Sequence, residues 1–189
     1  TQPKLAEPLY TELVNQANQR GIKVVAHQQD SVDTARLVKA GVAGFLHGRF
    51  EDEIGEELSR SLAESNTFVI PNLGLSLLRN MTISEDPLLI ETLPSATLSR
   101  LGSRVLAKTD KTMPASNSND LIRWQLDQLI STLDASIKRS FGSATARGVP
   151  IILGTDAGAL PDHFFGYTGH KELEIFVALG MTPEQAIGA

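Results

Sequence analysis

Three short apolar runs, each leading to an imidazole or a carboxylate, constrain the fold of this chain more than any other feature. They end at or just before His27, His47 and Asp156. Apolar runs of this length, bounded by Gly or Pro, are typical of buried parallel strands. Side chains at the C-terminal ends of such strands line the active-site face of a (β/α) barrel. The sequence therefore predicts a site built from neighbouring strand ends.

The rest of the chain alternates helices with these strands, and Gly or Pro marks most of the boundaries. The predicted elements are helices over 8–20, 31–40, 53–64, 120–147 and 171–179, strands over 22–26, 42–46, 67–70 and 150–153, and a last helix opened by Thr182-Pro183. Four successive strand-then-helix units predict an α/β fold with parallel strands. Four strands are half of an eight-stranded barrel.

Residues 74–119 interrupt this rhythm. The segment is rich in Ser, Thr and Pro, and it is too long for an ordinary loop. We therefore expect residues 1–189 to form one partial barrel domain, with 74–119 as an excursion over the active-site face.

Composition excludes several classes of protein and partner. The net charge is −5 without a basic stripe, so neither nucleic acid nor a membrane surface is an expected partner. No apolar stretch reaches 18 residues, which predicts a soluble protein. Cysteine is absent, which excludes disulfides and thiolate metal sites. The sequence leaves the compartment open between cytoplasm and periplasm or secretion.

The ends of the chain predict a fragment. It starts without Met and stops inside a predicted helix, so the N-terminal half of the barrel is expected to be a missing partner. A half barrel alone would expose apolar strand edges. Association is therefore expected, and a homo-oligomer is one outcome.

His27 and His47 are the candidate metal ligands. They lie twenty residues apart, the length of one strand-and-helix unit. Neighbouring strands lie about 4.8 Å apart, so side chains at their ends can share one cation. Zinc accepts imidazole nitrogens at about 2.0–2.1 Å. The structural alternative is a pair of partly buried imidazoles with satisfied hydrogen bonds, but equivalent positions on successive strands favour the metal.

Asp156 is the candidate catalytic residue and a third metal ligand. It lies in Leu-Gly-Thr-Asp-Ala-Gly, where small neighbours let backbone and substrate approach. A carboxylate there can bind a metal and accept a proton from water whose pKa the metal lowers to about 7. The alternative is a helix cap or an Asx turn. The two histidines favour the functional interpretation.

The loop after the last strand supplies weaker candidates. His163 and His170 are predicted to contact substrate, with an ordinary exposed loop histidine as the alternative. Glu172 and Glu174 are predicted to be solvated, or to be charges of the first helical turn.

Several catalytic classes lack their motifs. The sequence contains no GxGxxG or GxxxxGK[ST], no GxSxG and no HExxH. Phosphate loops, serine hydrolases of the GxSxG type and HExxH metalloproteases are therefore unsupported.

The strand-end patterns resemble the amidohydrolase superfamily, and within it the imidazolonepropionase-like branch. The patterns are Gly-Ile-Lys-Val-Val-Ala-His27, Ala-Gly-Val-Ala-Gly-Phe-Leu-His47-Gly and Gly-Val-Pro-Ile-Ile-Leu-Gly-Thr-Asp156-Ala-Gly. The closing Gly-Met-Thr-Pro-Glu-Gln-Ala is also similar to that superfamily. The resemblance covers nearly the whole chain outside 74–119. It implies the C-terminal half, about strands 5–8, of a TIM-like (β/α)₈ metallo-dependent hydrolase barrel.

The resemblance also implies roles. His27 and His47 match the ligands of strands 5 and 6, and Asp156 matches the strand-8 carboxylate that binds metal and acts as general base. One or two divalent ions, usually zinc, would serve hydrolysis of amide, lactam, ester or peptide-like bonds in small molecules. The superfamily's His-x-His of strand 1 is absent, and Lys4 lies in a loop rather than at the end of strand 4. The fragment alone is therefore expected to be inactive.

Two alternatives stay open at this point. One is a non-catalytic barrel module that binds a small molecule or a metal. The other is a mononuclear deaminase of the same superfamily, which ranks below hydrolysis because no clear Glu match lies near His27. The loops over 74–119 and 159–170 would set the substrate, and their sequence does not identify it.

Overall fold

The computed structural model describes residues 4–27, 30–47, 54–78, 83–106 and 135–189. These residues divide into two compact units, which are described separately. The first unit draws on Thr1–Asn72, Ala135–Leu153 and Ala189, and the second on Leu73–Asp134 and Gly154–Gly188.

Helices and three-residue strands alternate up to the third strand, and only helices and a 3₁₀ turn follow in the described chain. In order they are α1 (Glu7–Gln19), β1 (Val25–His27), α2 (Ser31–Ala40), β2 (Gly44–Leu46), α3 (Glu56–Glu64), β3 (Phe68–Ile70), α4 (Gly74–Leu77), a 3₁₀ turn (Ile83–Glu85), α5 (Pro87–Thr92), α6 (Ser95–Leu106), α7 (Ala135–Ala146), α8 (Tyr167–Ala178) and α9 (Pro183–Ile187). Within these ranges, no helix is both long and apolar enough to cross a membrane.

The sheet of the first unit is parallel and follows chain order, β1-β2-β3. His27 is the last residue of β1 and pairs with Leu46 at the end of β2. A parallel bridge joins Val69 of β3 to Ile151, so the strand predicted over 150–153 is present only as this bridge. The predicted α/β class with parallel strands is confirmed.

Helices α3 and α7 pack against each other, and buried side chains of the sheet and of both helices form the core of the first unit. Phe45 of β2, Leu62 of α3 and Phe141 of α7 are fully buried. Gly44 lies directly against the ring of Phe68, and a Cβ at position 44 would overlap that ring. A larger residue at position 44 would therefore have to displace the Phe68 ring.

Local signals place two helices where the sequence predicted them. The side chain of Asp30 accepts a hydrogen bond from the backbone nitrogen of Asp33 at 2.8 Å, which caps α2. Gly41 ends α2 in the left-handed conformation, with φ of 92°. At the start of α9, Thr182 and Gln185 form a reciprocal capping box.

Other boundaries differ from the prediction. Helix α8 begins at Tyr167 rather than at 171, directly after Gly166, whose φ is 80°. Part of the helix predicted over 120–147 is seen as α7, and residues 120–134 lie outside the described chain. The described parts of the excursion, 74–78 and 83–106, are mostly helical, and 79–82 and 107–119 are not described.

Candidate functional site

The imidazoles of His27 and His47 lie side by side at the ends of two neighbouring strands. Their ring centroids are 4.8 Å apart and the ring planes are tilted by 42°. Two imidazoles bound to one tetrahedral zinc ion would place their centroids about 5 Å apart. The separation of the two rings therefore matches that of two imidazoles on one zinc ion. His27 is exposed and His47 is half-buried, so the pair faces an accessible surface.

The backbone at His47 adopts a conformation that is uncommon for a residue with a side chain. Its φ is 54°, in the left-handed region, which costs a non-glycine residue about 1–2 kcal/mol. The buried side chain of Asn72, two residues past β3, accepts a hydrogen bond from the His47 backbone nitrogen at 3.2 Å. Residues held in such conformations are concentrated at functional sites.

A cavity of about 400 Å³ opens beside β1. His27 lines it together with mainly apolar side chains, among them Leu13, Val25 and Leu37. Its volume lies within the range of small-molecule pockets, roughly 300–1,000 Å³.

Asp156 belongs to the second unit. It is exposed and has a φ of 51°, the same left-handed region as His47. The predicted alternative of a helix cap does not apply, because the next helix, α8, begins only at Tyr167. Its carboxylate is accessible, as both a metal ligand and a proton acceptor must be.

The complete ligand set predicted from the sequence stays a prediction. Across the described ranges, no group of three or more His, Cys, Asp or Glu side chains is arranged to hold a metal ion. The structure thus brings together His27 and His47, while Asp156, His163 and His170 fall in the other unit.

His163 lies inside the second unit, where it forms part of the packing. Its ring nitrogen Nε2 lies 3.0 Å from the carbonyl oxygen of Gly74. A carbonyl can only accept, so Nε2 carries the proton. Nδ1 lies 3.3 Å from the Asp162 carboxylate but makes no well-directed hydrogen bond. His170, on the first turn of α8, is exposed. Substrate binding by either residue stays a prediction.

Glu172 is buried, contrary to the prediction from the sequence. It was predicted to be solvated or a first-turn charge, and this is wrong because the side chain is fully buried. Its carboxylate accepts hydrogen bonds from the backbone nitrogens of Leu73 at 2.8 Å and Gly74 at 2.7 Å. Burial raises the pKa of Glu172 to about 7, against the opposing effect of the two N–H donors. Perturbed carboxylates of this kind occur often at functional sites.

A periodic signal could have revealed Glu172. It lies on one face of α8 with Thr168, Ile175 and Phe176, at spacings of three and four, and all four are fully buried. The carboxylate therefore stands in the middle of a buried stripe. Glu174 is half-buried and pairs with the buried Lys171 at 2.9 Å, so it is ion-paired rather than simply solvated.

A second buried network ties α8 to the start of α5. Lys171 Nζ lies 3.1 Å from Asp86 Oδ2, and both side chains are buried. The hydroxyl of Tyr167 donates to the same carboxylate at 3.3 Å, and burial raises the pKa of that hydroxyl. Asp86 also accepts from the Leu88 backbone nitrogen and so caps α5. These contacts order the described part of the excursion within the second unit.

Comparison with known proteins gives a likeness of fold. No protein-family model matches the sequence, and no curated protein matches it significantly. A Xaa-Pro dipeptidase with methionine bound in its active site matches with a TM-score of 0.56 and 21% identity, over 99% of this chain and 36% of that one. The A. niger ochratoxinase matches with a TM-score of 0.54 and 21% identity, over 98% and 32%. This chain therefore spans about a third of the length of either protein and resembles the fold of that part.

Proposed function

We propose that this chain forms about strands 5–8 of a metal-dependent amidohydrolase barrel that cleaves a carbon–nitrogen bond in a small molecule. The observation that carries the proposal is the His27–His47 pair, with centroids 4.8 Å apart at the ends of paired parallel strands. Strand ends of this kind carry the catalytic groups of (β/α) barrels. The bond would be an amide, a lactam or a peptide-like bond.

The structural neighbours support the proposal at the level of reaction class. A dipeptidase and an ochratoxinase are both hydrolases of peptide or amide bonds. Their likeness supports the amidohydrolase superfamily, whereas the imidazolonepropionase-like branch is supported by the sequence patterns alone.

His27 and His47 would hold a divalent cation, with zinc as the first choice because both ligands are imidazoles. Such an ion, when bound, lowers the pKa of water and polarises a substrate carbonyl. The exposed His27 ring leaves one side of the pair open to a substrate. One ion or two would complete the site in the whole barrel.

Asp156 would act as the general base and acid. Its carboxylate is exposed and is flanked by Thr155 and Ala157, which are small enough to let a substrate approach. It would accept the proton of the attacking water and deliver it to the leaving nitrogen. His163 and His170 are proposed to contribute to substrate binding. Because the His163 ring is buried, the loop that holds this ring would make the contact with the substrate.

Metal content tests the proposal. The native protein that carries this chain should contain stoichiometric zinc or a similar metal by elemental analysis, and the double variant His27→Ala/His47→Ala should lose it. His170→Ala is the matched control, since it removes an exposed imidazole from the other unit and should keep the metal. Metal retained by the double variant would contradict the ligand assignment. A folded, metal-free native protein would favour the non-catalytic binding module.

A further inference from the structure

His47 and Asn72 leave the sheet side by side. Leu46 pairs with Ile70 at the ends of β2 and β3. His47 is the next residue after Leu46, and Asn72 is the second after Ile70. Both have left-handed backbones, with φ of 54° and 52°. The hydrogen bond from the His47 backbone nitrogen to the Asn72 side chain, 3.2 Å long, joins the two strand ends.

This hydrogen bond is made by the His47 backbone, and the conformation of the backbone decides where the imidazole points. The backbone dihedral angles of a residue set the direction of its Cα–Cβ bond, so a residue held at positive φ projects its side chain differently from one that continues the strand. Asn72 is 7% exposed, so water competes little for the bond. Asparagine also tolerates the left-handed region better than most residues.

We propose that Asn72 is a positioning residue for His47: its side-chain oxygen holds the His47 backbone in the conformation that keeps the imidazole beside that of His27. The effect on the ring pair rests on the geometry alone. The consequence for metal affinity rests on the proposed function. Groups that orient a metal ligand typically change metal affinity about 10–100-fold when they are removed.

The chain contains a matched control for this proposal. Asn66 has the same residue type and nearly the same backbone, with φ of 51°. It lies just beyond α3, where its backbone nitrogen donates to the Ala63 carbonyl. Its replacement by glycine tests the general effect of removing an asparagine from a left-handed position, with no acceptor withdrawn from His47.

The test compares Asn72→Gly, Asn72→Asp and Asn66→Gly in the native protein that carries this chain, with histidines isotopically labelled. Glycine keeps the left-handed backbone accessible and removes the acceptor, whereas aspartate keeps an oxygen acceptor. The readouts are the nuclear Overhauser effect between the His27 and His47 rings without metal, and the Zn²⁺ dissociation constant by calorimetry. We expect Asn72→Gly to lose at least half of the ring-to-ring signal and to bind Zn²⁺ about 10-fold more weakly or worse. Asn72→Asp and Asn66→Gly should keep the ring-to-ring signal.

The outcomes separate this proposal from the proposed function. An unchanged ring-to-ring signal in Asn72→Gly, or an equal loss in Asn66→Gly or Asn72→Asp, overturns the positioning role. A wild-type protein that binds no Zn²⁺ overturns the metal site, while the ring signal still decides the role of Asn72. If Asn72→Gly fails to fold, hydrogen exchange in the wild type decides instead. A His47 amide that exchanges as fast as an exposed one contradicts the proposal, and a strongly protected one supports it.

Discussion

The carboxylate oxygen Oε2 of Glu172 lies 2.7 Å from the backbone nitrogen of Gly74, which is 98 residues earlier in the chain. The pair joins α8 to the start of α4 inside the second unit. Because the carboxylate is fully buried, its protonation is linked to folding.

Stability should fall as pH rises through the range in which Glu172 titrates. Burial raises its folded-state pKa to about 7 from an ordinary value of 4.5. The stabilisation is therefore complete below about pH 4.5 and is lost as pH rises to about 7. The shift corresponds to about 3 kcal/mol at most.

Denaturant unfolding of the wild type and of Glu172→Gln between about pH 4.5 and 7 isolates the contribution of Glu172 to stability, because all other groups titrate alike in the two proteins. The free energy of unfolding of wild type minus that of the variant should decrease from acid to neutral pH. Glu91→Gln, at an exposed position on α5, should show no such trend. A difference that does not change with pH in the Glu172 comparison would contradict the linkage.

Gly74→Ala should destabilise the protein by about 1–2 kcal/mol, because the new Cβ would lie 3.1 Å from Glu172 Oε2 in a buried site. Gly169→Ala is the control. It places a Cβ within α8 where nothing lies within 4 Å, and alanine favours a helix over glycine by about 1 kcal/mol. Urea midpoints should therefore move in opposite directions. A neutral Gly74→Ala would show that the carboxylate can move aside without loss.

Asp156→Asn should lower kcat of the metal-loaded native protein by about 10²–10⁴-fold, because the amide cannot accept the proton that the reaction releases. Glu56→Gln, which removes an exposed carboxylate paired with Arg147, should leave kcat nearly unchanged. Steady-state kinetics with an amide or dipeptide substrate, together with metal analysis, make the comparison. An Asp156→Asn protein of full activity would remove Asp156 from the mechanism.

Features of the fold that depend on residues close together in the sequence could be predicted. Asp30 and Gly41 bound α2 because a side-chain cap and a left-handed glycine act within one helical turn. The order of strands and the positions of His27 and His47 at their ends follow from apolar runs of the right length. Strand lengths were overestimated, since pairing in the described sheet involves only three residues per strand.

The partners of the buried groups in the second unit could not be predicted in the same way. Glu172 is buried because Leu73 and Gly74, about a hundred residues away, offer it two N–H groups. His163 is buried because its ring meets the carbonyl of the same Gly74. Such partners are set by tertiary packing, which a local pattern of charge or hydrophobicity does not contain. The contact of Asn72 with His47 is likewise set by tertiary packing.

The contact between Gly44 and Phe68 has a consequence beyond packing. Strands of three residues have few ladder hydrogen bonds with which to resist sliding, and a slip by one residue turns every side chain to the opposite face. Only one alignment of β2 on β3 places the bare backbone of Gly44 beneath the aromatic ring. The close contact at Gly44 therefore favours the observed register, and in that register the end of β2 brings His47 next to Asn72 beyond β3.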